Sequence, residues 1–327
     1  MDKRLIDGTA DVNQLMPIKY HWAYQAYLEE VAAHWTPEVV NMSKDIALWK
    51  SDKLTDQERL MVKRNLGFFS TADSLAANNI VLNTYRHITA PEARMFMLRQ
   101  AATEALHTAS YGYIIESLGL DQEEVFNAYN TVPCIKAKDD FLMPFIETTG
   151  SLSKPSDKDL AAAIFVFGAI MEGLFFYVGF AQILALGRQN KMVGACEQYD
   201  FITRDEVRHC QFGMNLFNGI MQENPHLDTW VMSEHLRDLM HQGVELEYAY
   251  ALDTIGDGTL GISADTYLTY LRHIANRRCE YCNLGTLYED NAHNPFPWMS
   301  AAIDLPKNKN FFETRVVEYS NEGLDWE

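Results

Sequence analysis

Residues 160–186 read LAAAIFVFGAIMEGLFFYVGFAQILAL, and Glu172 is the only charged residue among them. By length and composition this stretch passes for a membrane span. A carboxylate at the midpoint of a span is costly in lipid, however, and the chain has no second stretch of this kind. A helix that is apolar on every side also suits the middle of a large helical bundle. We therefore predict a buried core helix in which Glu172 has a partner, because an unpaired buried charge costs several kcal/mol.

The rest of the chain also has the periodicity of helices. Apolar residues recur at three- and four-residue spacing, and strict alternation is hard to find. We predict an all-α fold with one helical domain at 20–290, an N-terminal segment at 1–19 and a C-terminal tail at 291–327. The longest polar break, at 148–157, is a candidate linker. The predicted helices cover residues 20–34, 56–86, 91–118, 122–130, 157–187, 190–221, 227–252 and 262–288.

Composition excludes some classes of function. Lys and Arg number 27 against 45 Asp and Glu, so the net charge is -18. That balance argues against nucleic acid as a partner, because a phosphate backbone requires a basic surface. Five cysteines are too few, and odd in number, for a disulfide framework. The first residues lack an apolar run of signal-peptide length, so we expect a cytoplasmic protein without a membrane partner.

The motif that points to a chemical function is Glu-x-x-His, which occurs twice, at 104–107 and at 206–209. Both copies lie in predicted helices, where positions i and i+3 share a face and can bind one ion together. Each copy follows a predicted helix in which a single acid stands in an apolar stretch. Together the two modules give six candidate metal ligands: Asp73, Glu104, His107, Glu172, Glu206 and His209.

The charges of this set suit a pair of metal ions. Four carboxylates balance two divalent cations, and one neutral imidazole remains for each metal. Carboxylate with imidazole favours iron or manganese, whereas thiolates would favour zinc or iron–sulfur clusters. Ferritin-like dimetal bundles use this arrangement of one acid from each of two helices and Glu-x-x-His from the other two. The alternative is four unrelated acids and two core histidines, which leaves the doubled pattern unexplained.

Tyr111 lies four residues after His107, on the same helical face. The chain has 16 tyrosines, and most must be ordinary packing or surface residues. Beside a metal pair that reaches high oxidation states, a buried phenol becomes a candidate one-electron donor.

Taken together, these motifs resemble the small, radical-generating subunit of class I ribonucleotide reductases. The resemblance is carried by Asp73, by Glu104-x-x-His107-x-x-x-Tyr111, by EGLFFYVGF at 172–180 and by RDEVRH at 204–209. It also includes NFFETRVVEY at 310–319 and spans about residues 20 to 320.

The resemblance implies a role for each matching residue. Asp73, Glu104 and His107 would bind one metal, and Glu172, Glu206 and His209 the other, with Glu104 and one or more acids of the second module bridging. Tyr111 matches the tyrosine that is oxidised to a stable radical. The apolar pocket around that radical matches Phe176, Phe180 and Ile202.

The resemblance also implies a route for the radical. Trp35 matches the tryptophan of the electron-transfer path, and Asp205 the acid that links it to His107. Tyr319 matches the tyrosine that passes the oxidising equivalent to the large subunit, where the tail would dock.

By resemblance, then, the dimetal site activates O2 to generate a radical at Tyr111, and the large subunit uses it to reduce ribonucleotides to deoxyribonucleotides. The implied partners are that large subunit and a second copy of this chain.

The resemblance also bears on the identity of the metals. Family members with Phe and Glu in place of Tyr111 and Asp73 use a manganese–iron pair, so this sequence favours two iron ions. A pair of manganese ions remains an alternative. The alternatives are a ferritin-like oxidase or hydroxylase acting on a bound organic substrate, and a ferritin-like metal store.

Overall fold

In a computed structural model the chain folds into long helices packed side by side. The structure describes residues 2–151, 153–256, 258–290 and 293–299. Within these ranges no β-strand forms, and only two isolated bridges occur, Ile6 with Ile88 and Thr259 with Ile262. The predicted all-α fold is thus confirmed. Tyr319 and most of the predicted tail lie outside the described residues.

The α-helices are, in chain order, α1 (His21–Ala32), α2 (Ser43–Trp49), α3 (Asp56–Asn78), α4 (Pro91–Leu118), α5 (Gln122–Phe126), α6 (Ala128–Thr131), α7 (Pro133–Gly150), α8 (Asp157–Phe165), α9 (Tyr177–Arg188), α10 (Val193–Glu223), α11 (Trp230–Ile255) and α12 (Ala264–Tyr281). A π-helix at Val166–Phe175, called the π segment below, joins α8 to α9. A second π-helix (Asn79–Asn83) and a 3-10 helix (Thr84–His87) follow α3. Further 3-10 helices are Pro37–Val39, Pro225–Leu227 and Pro297–Met299.

The ends of the two helices that hold the first metal module are set by local sequence. A capping box starts α3, in which the Thr55 hydroxyl accepts from the Glu58 N–H and the Glu58 carboxylate accepts from the Thr55 N–H. Pro91 starts α4 at a position where its missing N–H is not needed. Gly119 ends α4 with φ 66°, in the left-handed region that glycine tolerates.

The structure also differs from the predicted helices. The predicted helix at 56–86 is regular only to Asn78 and continues as π and 3-10 turns. Helix α7 was not predicted, because Pro144 in its interior and the polar residues at its end suggest a break. The candidate linker is correspondingly shorter than predicted, since α7 extends to Gly150.

The apolar stretch that includes Glu172 is buried, as predicted for a core helix. Asp157–Arg188 is long and apolar enough to cross a membrane, yet 94% of its most apolar window is buried within the protein. The π segment contacts α10, α11 and α12, and α8 and α9 contact α10. Burial on every side explains why the sequence of this stretch has no polar face.

Four helical rods surround the predicted site. They are α3, α4, α10 and the rod formed by α8, the π segment and α9, called the core rod below. Glycines bring two of these rods together, because a Cβ on Gly168 would lie 2.8 Å from the Gly213 Cα. Outside them, α7, α11 and α12 cover the core rod, and α1 covers α4. The beginning of the chain packs on the same bundle, with Leu5 and Ile6 buried.

Candidate metal centre

The structure brings all six predicted ligands to one point between the four rods. Asp73 comes from α3, Glu172 from the π segment, and the two Glu-x-x-His pairs from α4 and α10. Their ligand atoms form two overlapping groups, each within 4.8 Å. One group is Asp73, Glu104, His107 and Glu206, and the other is Glu104, Glu172, Glu206 and His209.

Glu104 and Glu206 lie between the two histidines. The Nδ1 atom of His107 is 2.9 Å from Glu206 Oε1 and 3.3 Å from Glu104 Oε2. The Nδ1 atom of His209 is 2.8 Å from Glu104 Oε1 and 3.2 Å from Glu206 Oε2. Each glutamate therefore directs one oxygen to each half of the centre, which is the geometry of a bridging carboxylate.

The centre is buried, and several of its polar atoms lie close to one another without forming an aligned hydrogen bond. All six side chains are at most 3% exposed. Orphaned buried polar atoms are rare in proteins and each one needs an explanation. Two divalent cations would supply the missing partners, so the residues fit a metal pair. The atoms without an aligned hydrogen bond include Asp73 Oδ1, both Glu104 oxygens, His107 Nδ1, Glu172 Oε2 and Glu206 Oε1.

Two acids and both histidines of the centre have pKa values that favour their protonated forms. Burial, together with the charges of Glu104 and Glu206, raises the pKa of Asp73 to about 8. Burial and the same two neighbours raise the pKa of Glu172 well above its usual value. Burial acts to lower the pKa of His107, but the carboxylates around its ring, with Asp205 and Asp73 first, outweigh it and raise that pKa well above its usual value. Protons thus take the place of positive charge, because four buried carboxylates cannot all ionise alone.

Outside the ligands, one carboxylate joins His107 to Trp35. The Nε2 atom of His107 lies 3.1 Å from Asp205 Oδ2, and the Trp35 indole N–H donates to the same oxygen at 2.9 Å. The Trp35 and His107 rings are stacked with centroids 6.2 Å apart. A carboxylate that accepts from the outer nitrogen of a histidine orients the ring toward its metal.

His209 has a comparable outer carboxylate, which the sequence analysis missed. Glu30, fully buried on α1, places Oε1 3.5 Å from His209 Nε2. Thr103 donates to Glu30 Oε1 at 2.9 Å and Arg208 Nε donates to Glu30 Oε2 at 2.7 Å. Arg208 also donates to Asp205, so one guanidinium connects the two outer carboxylates. No motif marks Glu30, because it stands in an ordinary charged pair with Glu29.

Gln100 was missed as well, although its spacing offered a signal. Its side-chain amide donates to Glu172 Oε1 at 3.1 Å. Gln100 lies four residues before Glu104 on α4, and so on the face that points to the centre.

Tyr111 is fully buried beside the first metal group. Its hydroxyl donates to Asp73 Oδ2 at 3.0 Å. The Phe69 ring is 5.6 Å from the Tyr111 ring and 5.0 and 5.1 Å from those of Phe176 and Phe180. Phe69 therefore lies between the phenol and the two predicted pocket residues. Tyr199, 5.8 Å from Tyr111, adds a further ring.

Ile202 is buried on α10, the helix that carries Tyr199. Phe69 and Tyr199 were not among the predicted pocket residues. They come from different helices, and aromatic residues are too common for a spacing rule to single them out.

Sequence and structure comparisons agree on the family. The profile of the ribonucleotide reductase small chain matches residues 12–295. Ribonucleoside-diphosphate reductase subunit beta of Chlamydia pneumoniae is 51% identical, over 97% of this chain and 92% of that protein. The small subunit of Dictyostelium discoideum is 31% identical, over 95% of this chain and 87% of that protein.

Solved structures show the same relationship. The ribonucleotide reductase R2 subunit from Clostridium botulinum superimposes with a TM-score of 0.86 at 26% identity, over 93% of this chain and 95% of that one. A putative class I ribonucleotide reductase from Bacillus halodurans gives 0.80 at 28% identity, over 86% and 99%. The fold is thus a ferritin-like bundle. The chain belongs to the ribonucleotide reductase small-chain family and is the small subunit of a class I ribonucleoside-diphosphate reductase.

Proposed function

We propose that the chain stores a one-electron oxidising equivalent at Tyr111 and delivers it to a large subunit that reduces ribonucleotides. The proposal is supported above all by the 3.0 Å hydrogen bond from the Tyr111 hydroxyl to Asp73. This bond joins a fully buried phenol directly to a candidate metal ligand. When bound, a pair of redox-active metals would supply the oxidising power by activating O2.

In this proposal the protein controls the proton and the surroundings of Tyr111. Loss of an electron makes the phenol strongly acidic, and its proton moves along the existing hydrogen bond to Asp73 Oδ2. Phe69, Phe176, Phe180 and Ile202 exclude the water and reductants that would quench the radical. Burial and the neighbouring charge of Asp73 raise the pKa of Tyr111 well above its usual value, so the resting phenol keeps its proton.

We assign Trp35, Asp205 and His107 to the path of the electron. The shared Asp205 oxygen connects the Trp35 indole to the His107 ring by two hydrogen bonds. Tyr319, in the tail that would dock on the large subunit, is assigned the last step out of this chain.

The proposed ligands are Asp73, Glu104, His107, Glu172, Glu206 and His209, and the proposed metals are two iron ions. Oxygen and imidazole ligands suit iron and manganese alike. The choice of iron follows from Tyr111 and Asp73, the residues that accompany a tyrosyl radical in the family resemblance. Two manganese ions or a manganese–iron pair would use the same six ligands.

We further propose a cytoplasmic homodimer that binds the large subunit and O2, with neither nucleic acid nor membrane as a partner. The net charge of -18 disfavours a phosphate backbone. The long apolar helix is already buried within the bundle, so it has no apolar face left for lipid.

An oxidase acting on a bound organic substrate would need more space beside the metals. A cavity next to Glu172 and His209, lined by Met97, Phe167 and Phe212, has a volume of about 50 Å³. Ligand pockets for organic molecules occupy roughly 300–1,000 Å³. The cavity accommodates a diatomic molecule or a water, which favours O2 over an organic substrate.

Electron paramagnetic resonance tests the proposal. The metal-free protein is loaded with Fe(II) and exposed to O2, beside the Tyr111→Phe variant. We expect a tyrosyl signal in the first and none in the second, with equal iron content. A signal that survives in Tyr111→Phe overturns the assignment of the radical. If the iron-loaded protein gives no tyrosyl signal but the Mn(II)-loaded protein does, the choice of iron is overturned.

A further inference from the structure

The π segment and the turn after it are held by side chains from three other helices. Arg278 Nε, on α12, donates to the Gly173 carbonyl at 3.0 Å. Lys138 Nζ, on α7, donates to the Phe175 carbonyl at 3.0 Å. Glu247 Oε1, on α11, accepts from the Val178 N–H at 3.2 Å. Three backbone groups within six residues are therefore bonded to charged side chains.

These charged side chains are completely buried. Lys138 and Glu247 are both 0% exposed, and their Nζ and Oε2 atoms lie 2.6 Å apart. The Lys138 Nζ atom also lies 3.3 Å from the centroid of the Phe68 ring. Arg278 is 1% exposed, and its Nη2 donates to the Tyr177 hydroxyl at 2.8 Å. Buried ion pairs are often no more stabilising than apolar residues of the same volume, so stability alone does not account for them.

The contacts lie directly beside Glu172. Gly173 follows it, and a Cβ at that position would lie 3.0 Å from Arg278 Nε and 2.9 Å from the Cys210 sulfur. Glycine thus makes room for the guanidinium to approach the backbone. Lys138 binds the carbonyl of Phe175, so the two cations act on both sides of Leu174.

Only one of the six ligands depends on irregular backbone. The other five lie on α3, α4 and α10, where the ordinary helical hydrogen bonds fix the main chain. A π-helix inserts an extra residue into a helix and is commonly found at functional sites. Its register at Glu172 requires support from outside, which α7 and α12 provide.

We propose that Lys138 and Arg278 are positioning residues that hold the π segment in the register at which Glu172 binds the second metal. Glu247 assists by neutralising Lys138 and binding the Val178 N–H. The cations act through the backbone carbonyls of Gly173 and Phe175, one and three residues after Glu172. This inference rests on the proposed metal centre and adds to it the residues that shape one half.

The test is a titration of the full-length protein with Mn(II), in which free Mn(II) is counted by electron paramagnetic resonance. The variant Lys138→Met/Glu247→Gln removes both charges and keeps an amide oxygen for the Val178 N–H. We expect the affinity of one of two sites to fall by about 10- to 100-fold, the usual effect of losing a residue that supports a metal ligand. Arg278→Met is a second variant with the same expectation.

Combining this variant with a substitution that removes one metal ligand shows which of the two metal sites it weakens. In Asp73→Ala, where the group with Glu172 remains, Lys138→Met/Glu247→Gln should weaken the remaining site by the same factor. In Glu172→Ala the same change should have no further effect, because its target is already gone. Equal effects in the two backgrounds would show general destabilisation and overturn the proposal.

The matched control is another Lys–Glu pair with a buried carboxylate. Lys3 and Glu92 are 3.0 Å apart at the start of α4 and do not touch the π segment. Lys3→Met/Glu92→Gln should leave both Mn(II) affinities unchanged. Hydrogen exchange of residues 166–178 gives a metal-free readout, which we expect to accelerate only in the Lys138 and Arg278 variants.

The outcomes separate this inference from the proposed function. Failure of the wild-type protein to bind two Mn(II) ions would overturn the metal centre itself. Two sites in the wild type, with unchanged affinities and hydrogen exchange in Lys138→Met/Glu247→Gln and Arg278→Met, would overturn only the positioning role.

Discussion

The Trp35 indole N–H donates to Asp205 Oδ2 at 2.9 Å, across a separation of 170 residues in sequence. The same oxygen lies 3.1 Å from His107 Nε2. One carboxylate oxygen thus connects the segment after α1, where Trp35 lies, to the interior of the metal centre. Removing its charge should therefore be felt at the metal, which Asp205 itself does not touch.

Asp205→Asn should weaken metal binding at the group that contains His107. The amide lacks the negative charge that orients the imidazole, and we expect the affinity to fall by about 10- to 100-fold. Mn(II) titration measures the effect. Asp200→Asn, on the same helix and paired with Arg204 at the surface, is the control and should bind like the wild type. Unchanged affinity in Asp205→Asn would remove Asp205 from the metal centre.

Arg208→Met should destabilise the fold through Glu30. The neighbouring His209 ring and the hydrogen bond from Arg208 keep the pKa of Glu30 below its usual value in spite of burial. Loss of the cation leaves a buried carboxylate with less compensation, and the expected loss is about 3 kcal/mol in the free energy of unfolding. Urea unfolding of the metal-free protein measures it.

Two further variants separate charge from packing at this position. Adding Glu30→Gln to Arg208→Met should recover part of the loss, because the uncompensated charge is then gone. Arg204→Met removes a surface ion pair with Asp200 and should lose less than about 1 kcal/mol. Equal losses in the two arginine variants would contradict the role of Arg208.

The metal-free protein should lose stability as the pH rises through neutrality toward about 8. The pKa of Asp73 is raised to about 8, and those of Glu172, His107 and His209 are raised as well. Groups with raised pKa values bind protons more tightly when the chain is folded, so their contribution is present at lower pH and is lost through the raised pKa. The melting temperature between pH 6 and pH 9 should fall in the metal-free protein.

Loading the metals should change this behaviour, because cations replace the bound protons. The loaded protein should show little loss of melting temperature between pH 6 and pH 9, and loading should release protons into a weakly buffered solution. Calorimetry in buffers of different ionisation enthalpy counts those protons. Metal binding without proton release would show that the six ligands are already deprotonated in the metal-free protein.

Gly168→Ala and Gly112→Ala should change stability in opposite directions. A Cβ at Gly168 would meet the backbone of Gly213 at 2.8 Å and force α10 away from the core rod, at a cost of about 1–3 kcal/mol. A Cβ at Gly112 on α4 meets nothing within 4 Å, so the better helix former should add up to about 1 kcal/mol. Thermal unfolding of the metal-free proteins compares them. A neutral Gly168→Ala would show that the two rods can separate freely.

The residues that the sequence revealed are those whose spacing follows helix geometry. Glu104 and His107 share a face because they are three residues apart, and Tyr111 joins that face four residues later. The isolated Glu172 stood out because everything around it is apolar. Such signals are local, and so they are visible in a single chain.

Residues whose role depends on contacts between distant helices gave no such signal. Glu30 reaches His209, and Phe69 reaches Tyr111, only after the helices pack together. The π segment was also invisible to periodicity, because a stretch that is apolar all round has no polar face to reveal an inserted residue. Lys138 and Arg278 stand beside other charged residues in the sequence, Asp139 and Arg277. Nothing therefore distinguished them from cations at the surface.

The apolar rod at Asp157–Arg188 also bears on how the chain is made. While it is still extended on the ribosome, a stretch so free of charge is a hazard for aggregation and for capture by membranes. Synthesis proceeds from the N-terminus, so α3, α4 and α7 emerge before it, and α7 and α3 contact α8 and α9 in the finished fold. The apolar rod therefore emerges from the ribosome after α3 and α7, the helices on which it packs. Glu172, the only charged residue between 160 and 186, makes lipid a poor destination until the protein interior encloses it.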